Sequence, residues 1–125
     1  MRFLLISAIL ISLATSLKAE EPEQLRILVQ SSPLAGYRHY EAPVIWSQLQ
    51  VGDALTLHRE PENPHDANAI RVEWHGKKLG YLPRAENRAL AAEMDKGTPL
   101  AARIAALKKG RSAWQRVRVD VFVVM

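Results

Sequence analysis

The chain contains no cysteine. That excludes disulfide staples, thiol nucleophiles and thiolate metal ligands, so a folded domain here must be held by its core. Several motifs that announce common chemistry are missing too. No G-x-x-x-x-G-K-[ST] loop is present to cradle nucleotide phosphates, and no G-x-S-x-G gives a serine a nucleophile's context. The four histidines, His39, His58, His65 and His75, show no H-E-x-x-H or H-x-x-x-H spacing for zinc. These patterns give no expectation of a catalytic residue, a metal ligand or a cofactor. There is no internal repeat and no low-complexity linker.

A membrane-length apolar run is also lacking. The uncharged stretch from Phe3 to Leu17 is shorter than the roughly 17–25 residues that a span needs. A basic start, a short apolar run and a small residue before "EEPEQ" fit a secretory signal peptide over residues 1–19. Cleavage is expected after Ala19. Leu17 is not the small residue preferred two positions earlier, which leaves Ser16 as a second choice. The alternatives are an uncleaved inner-membrane anchor or a buried helix. No cysteine stands near the junction to make a lipoprotein. The expectation is an exported, periplasmic protein, with residues 20–24 an exposed lead-in and 25–125 the folded domain.

What is present is 125 residues, 48% of them hydrophobic, enough for one domain with a real core. Seventeen basic side chains stand against 13 acidic. Loss of Arg2 and Lys18 with the leader would leave 15 against 13, a net of +2. Any site for a polyanion must then be local rather than a property of overall charge.

"LRILVQ" alternates as a strand with Leu25, Ile27 and Val29 on one face, and "SSPLAG" breaks it. "YRHYEAPVIW" reads as extended, with Pro43 suited to an edge or bend. "ALTLHRE" and "AIRVEWH" alternate, "HGKK" is a hairpin connection, and "KLGYL" resumes a strand. Pro83 opens a helix with Leu90 and Met94 on one face and Gly97 at its end. "TPLAARIAALKK" fits either period. "WQRVRVDVFVVM" is the clearest strand, with Val117, Val119, Val121 and Val123 on one face. Six or seven short strands and one firm helix predict a mainly β fold, a small OB- or SH3-like barrel whose loops would meet ligands at one rim.

Two stretches carry the candidate chemistry. "GYRHY" sets Tyr37, Arg38, His39 and Tyr40 together, rings that can stack on bases beside a guanidinium that can meet phosphate. The same residues also read as barrel aromatics beside a solvated arginine. "PENPHDAN", Pro61 to Asn68, reads first as a turn: Asn and Asp hold nearby backbone, Asp66 could brace Asn68 or Ala69, and Pro61 and Pro64 stiffen the loop. Lys77 and Lys78, and Lys108, Lys109 and Arg111, read as solvated turn charges.

The order of these pieces is specific. R-E-P-x-N-P-x-D-x-N-A-I, Arg59 to Ile70, followed by L-G-Y-L-P, Leu79 to Pro83, resembles the HIRAN family over roughly residues 25–123. The resemblance implies a small β-barrel with helices. In eukaryotic fork-remodelling ATPases the domain is joined to a motor and captures single-stranded DNA at a 3′ end. By that likeness Arg38 would meet phosphate, and His39 or Tyr40 would stack a base. His65 would stack from the opposite side, and Asp66 would accept a hydrogen bond from a 3′-hydroxyl. Asn63 would bond the sugar-phosphate or hold the loop, Asn68 would brace it, and Tyr81 would line the wall. The expectation is a non-catalytic module for single-stranded DNA or RNA ends. The alternatives are an envelope protein using the same rim for another ligand or a protein partner, and a metal-binding or hydrolase-associated module.

Overall fold

The computed structural model describes residues 24–125. The expected signal peptide and residues 20–23 lie outside the described residues. Six strands form one antiparallel sheet: β1 (Arg26–Pro33), β2 (Ala54–Glu60), β3 (Ala69–Trp74), β4 (Lys77–Tyr81), β5 (Leu100–Leu107) and β6 (Val117–Val124). Their spatial order is β1-β6-β5-β2-β3-β4. The two ends of this sheet meet. Ala35, just past β1, exchanges both backbone hydrogen bonds with Tyr81 at the end of β4, at 2.8 and 3.0 Å. That pair closes the sheet into the expected small barrel, because closure removes most of the unpaired edge.

The interior is aliphatic. Leu34, Ile70, Val72, Leu79, Leu82, Ile104, Val117, Val119 and Val121 are almost wholly buried. Period two in β3 and β6 produces this directly, since alternate side chains enter the barrel. The ambiguous segment from Leu100 to Leu107 is a strand, because its register with β6 buries Ala102 and Ile104. "HGKK" turns tightly at His75 and Gly76, both with positive φ (47° and 77°), between the paired residues Trp74 and Lys77. Such a two-residue turn matches the twist of the flanking strands.

The helix α2 (Arg88–Asp95) follows a 3-10 turn at Arg84–Glu86, so Pro83 opens that turn rather than the helix proper. α2 ends in a Schellman motif: the Gly97 N–H donates to Met94 O and the Thr98 N–H to Glu93 O, with Gly97 at φ 84°. Leu90 is buried and Met94 packs beside the core.

Four other segments differ from expectation. "YRHYEAPVIW" is not extended. It forms a 3-10 turn (Tyr37–His39), a single α turn, α1 (Ala42–Ile45), and another 3-10 turn (Trp46–Gln48). Gly36 starts it in a left-handed conformation, Pro43 sits in the first turn of α1, and Ala42 and Ile45, three apart, enter the core. Next, "SSPLAG" does not break β1, which runs on to Pro33. The apolar face of Leu25, Ile27 and Val29 is exposed, since β1 is the outer strand, bulges between Leu28 and Gln30, and enters the core only from Ser32 onward. Third, the last strand begins at Val117, and Trp114 lies on a 3-10 turn (Ala113–Gln115). Fourth, His75, the last residue of the alternating "AIRVEWH", lies in the turn and not on the strand, which ends at Trp74.

Candidate functional site

The loop Pro61–Asn68 is built from two consecutive side-chain turns. Asn63 Oδ1 accepts the His65 N–H at 2.9 Å, and Asp66 Oδ1 accepts the Asn68 N–H at 2.9 Å. Both are local turns that Asn and Asp favour. Neighbouring elements then fix the loop. The Arg59 guanidinium donates to Ala67 O and Ala69 O and reaches Asp95 of α2 at 3.0 Å. From behind, Asn87, 1% exposed, donates through Nδ2 to Asp66 Oδ2 at 2.7 Å.

Glu60 is the hub of the site. Its Oε1 accepts from Asn63 Nδ2 at 3.0 Å and from the Tyr81 hydroxyl at 2.8 Å, while Oε2 accepts from Arg71 Nη1 at 2.8 Å. Burial by itself would raise this carboxyl's pKa. The hydrogen bonds from Tyr81, Asn63 and Arg71, with the charge of Lys78, outweigh it and hold the group below its ordinary value. On the next strand Glu73 lies between Arg71 Nε, at 3.1 Å, and His58 Nε2, at 2.7 Å.

Opposite the loop, the segment after Gly36 runs along β4. The Glu41 N–H donates to Lys78 O, which brings Tyr40 against β4. The Tyr40 and Tyr81 rings meet edge to face at 5.7 Å, and Lys78 Nζ stands 4.0 Å and 4.6 Å from their centroids. Burial by itself would lower the Lys78 pKa, but Tyr81, Tyr40 and Glu60 beside it raise it above the ordinary value. The Tyr81 pKa is raised, first by burial, so its hydroxyl stays a donor to Glu60.

Between loop and rings lies a cleft of about 340 Å³ lined by residues that include Tyr40, Asn63, Pro64, His65, Asp66, Tyr81 and Arg84. The structure thus brings together five of the seven expected contact residues. Arg38 and His39 stand exposed on the preceding 3-10 turn, outside this lining. Asp66 braces the backbone N–H of Asn68, one of the two partners the turn reading offered it, and Pro61 borders the loop's other side. Lys78 is no turn charge, since it sits on β4 over the two tyrosines. Glu60, Arg84 and Asn87 were not singled out from the sequence. Glu60 was legible only as part of "REP", and nothing local marks Arg84 or Asn87. Among the described residues no three His, Asp or Glu side chains gather as a metal site.

The HIRAN domain profile matches residues 27–125. The chain belongs to the HIRAN family. Two curated proteins share part of the domain. A 53-residue stretch is 42% identical to the Fanconi-associated nuclease 1 homolog of rice, covering 39% of this chain and 6% of that protein. A 63-residue stretch is 38% identical to rabbit helicase-like transcription factor, covering 50% of this chain and 6% of that protein. The chain therefore matches only a small part of each relative's length. Among solved structures, a Lactobacillus plantarum protein superposes with a TM-score of 0.72 at 27% identity, over 82% of this chain and 98% of that one. The HIRAN domain of human HLTF superposes with a TM-score of 0.57 at 23% identity, over 79% of this chain and 78% of that one, a likeness of fold.

Proposed function

We propose that this HIRAN domain is a nucleic-acid-binding module that takes the 3′-hydroxyl end of a single strand, and that it does so without catalysing a reaction. The observation that carries the reading is one cleft holding the rings of Tyr40, Tyr81 and His65, the Asp66 carboxylate and the Arg84 guanidinium, with Lys78 beside it. Rings give stacking surface of about 1–3 kcal/mol per base. Cations suit the phosphate that precedes the terminal sugar. Asp66 uses one lone pair on each oxygen for the loop and keeps others for a hydroxyl donor. A carboxylate repels phosphate, so this cleft should prefer a free 3′-hydroxyl over a 3′-phosphate. Residues 1–19 are proposed to export the domain, which would make its ligand a periplasmic one.

The test is a titration of matched 3′-hydroxyl and 3′-phosphate oligonucleotides. Tighter binding of the hydroxyl form is expected. Asp66→Asn keeps an acceptor for the Asn68 N–H, loses the one for Asn87 Nδ2 and removes the charge, so it should narrow the difference between the two ends at some cost in stability. Equal affinities for both ends in the parent would reject the reading. Tyr40→Ala should weaken both forms by about 1–3 kcal/mol.

A further inference from the structure

The start of β1 leaves an apolar surface in water. Leu25, Ile27, Leu28 and Val29 are between 45% and 62% exposed, and Met125 beside Leu25 is 70% exposed. The surface continues across the sheet. Ile27 pairs with Val123 and Val123 with Leu100, one row over three strands, and Val123 and Leu100 are only half-buried. Apolar side chains exposed singly are ordinary, but a contiguous patch marks a contact.

The backbone of this stretch is free on one side as well. The Met125 N–H donates to Leu25 O at 2.9 Å. Bonded residues alternate along an antiparallel ladder, so Leu25 and Ile27 turn their amides toward β6, while Arg26 and Leu28 turn theirs away. Among the described residues no backbone group meets Arg26 or Leu28 on that outer side. Sheet edges are commonly blunted by lysine, proline or a bulge, because a bare edge templates another strand. From Leu25 to Val29 the one charge is Arg26, and the bulge comes only between Leu28 and Gln30.

We infer that this edge is the interface with a second copy of the chain, the two β1 strands pairing antiparallel about a two-fold axis at Ile27. The outward amides of Arg26 and Leu28 select that register. An axis at Arg26 would set two arginines face to face, a like-charge pair that destabilises a sheet. An axis at Leu28 would need the Gln30 amide, which lies past the bulge and is turned toward β6. With the axis at Ile27, each Arg26 bonds opposite Leu28 of the second copy, and the two Ile27 side chains meet in a non-hydrogen-bonded pair. Leu25 faces Val29, where the bulge ends the pairing. The patch offers roughly 500 Å² on each copy, so a pair buries about 1,000 Å², the least that a specific interface needs. A weak dimer follows, with a Kd on the order of 10–100 µM.

This interface leaves the end cleft open. Ala35, at the cleft, is eight residues beyond Ile27, about 25 Å along an extended strand. The dimer therefore carries two free clefts and is independent of what they bind.

The full chain has no cysteine, so one introduced thiol reports on one place. The Cα atoms of a non-hydrogen-bonded pair stand about 4.5 Å apart, within the reach of a disulfide. Ile27→Cys should therefore give a covalent dimer under mild oxidation. It should do so at least about tenfold faster than Val44→Cys, since association raises the effective thiol concentration and Val44, though 84% exposed, lies on α1. Sedimentation of the full chain from about 1 µM to about 1 mM should show the mass move from one chain toward two. Ile27→Lys opposes two like charges at the axis and should raise Kd at least about tenfold. Leu28→Glu faces Arg26 of the second copy and should hold Kd within about threefold of the parent. Melting curves check that the variants fold, and the cysteine pair decides the matter even where a charged variant does not. One chain at every concentration, equal cross-linking of the two cysteine variants, or association that a folded Ile27→Lys leaves unchanged overturns the interface.

Discussion

At the residue scale the site turns on Glu60, whose carboxylate ties loop, sheet and ring wall together. Its lowered pKa has a definite consequence for stability. A depressed carboxyl contributes stability that is fully present above its ordinary value near 4.5 and is lost as pH falls through the lower folded value. Glu60→Gln should destabilise the domain by about 1–2 kcal/mol at neutral pH, since it removes charge from hydrogen bonds made by Arg71, Asn63 and Tyr81. The gap between parent and variant should close as the medium is acidified below that window. Urea unfolding from pH 7 to pH 3 measures it, and a gap independent of pH would contradict this account. Asn63 and Asp66 show how one residue serves two ends. Both hold the loop with local bonds, and both still border the cleft.

At the element scale the deciding contact is the closure of the sheet. A Cβ placed on Gly80 would lie 2.2 Å from the Ala35 carbonyl oxygen, which accepts the Tyr81 N–H. Backbone cannot yield there as a flexible side chain could. Gly80→Ala should therefore cost about 3 kcal/mol, the upper part of the usual range for overpacking, read from the denaturant midpoint. It should also weaken oligonucleotide binding, because Tyr81 and Tyr40 are aligned by the same closure. The "LGYLP" motif thus contains a glycine that backbone contact demands as well as a tyrosine that faces the cleft. The helical turns from Tyr37 to Gln48 were misjudged for a related reason. Their pattern is too short to show a period of 3.6, and proline reads equally as an edge or a first turn. Tertiary contacts of Ala42 and Ile45 decide between them.

At the scale of the whole molecule the chain is a HIRAN domain with a modest net charge and a cleft between the Pro61–Asn68 loop and the rings of Tyr40 and Tyr81. Binding should accordingly be local and strongly salt-dependent despite the modest overall charge. The proposed export has its own test. A phosphatase-reporter fusion to residues 1–24 should be active only outside the cytoplasm, and retention of the reporter inside would reject the periplasmic reading.

The sequence by itself determined much that rests on local order. Alternation in "AIRVEW" and "VRVDV" specified inward faces, the run from Arg59 to Ile70 specified the family, and Gly97 specified the end of α2. Five of the expected contact residues reach one cleft because two short motifs carry them. Only the tertiary structure decided which charges join them. Lys78 and Arg84 reach the site because β4 and the turn after it border the cleft, and Glu60 links residues that are 3, 11 and 21 positions away. Trp114 stands outside the last strand because a 3-10 turn, beside which Arg116 Nε bonds Arg111 O, precedes that strand. The physical reason is one of range. Period, caps and turns are properties of neighbours along the chain, whereas a site is made by the closure of the barrel, which brings distant neighbours into contact.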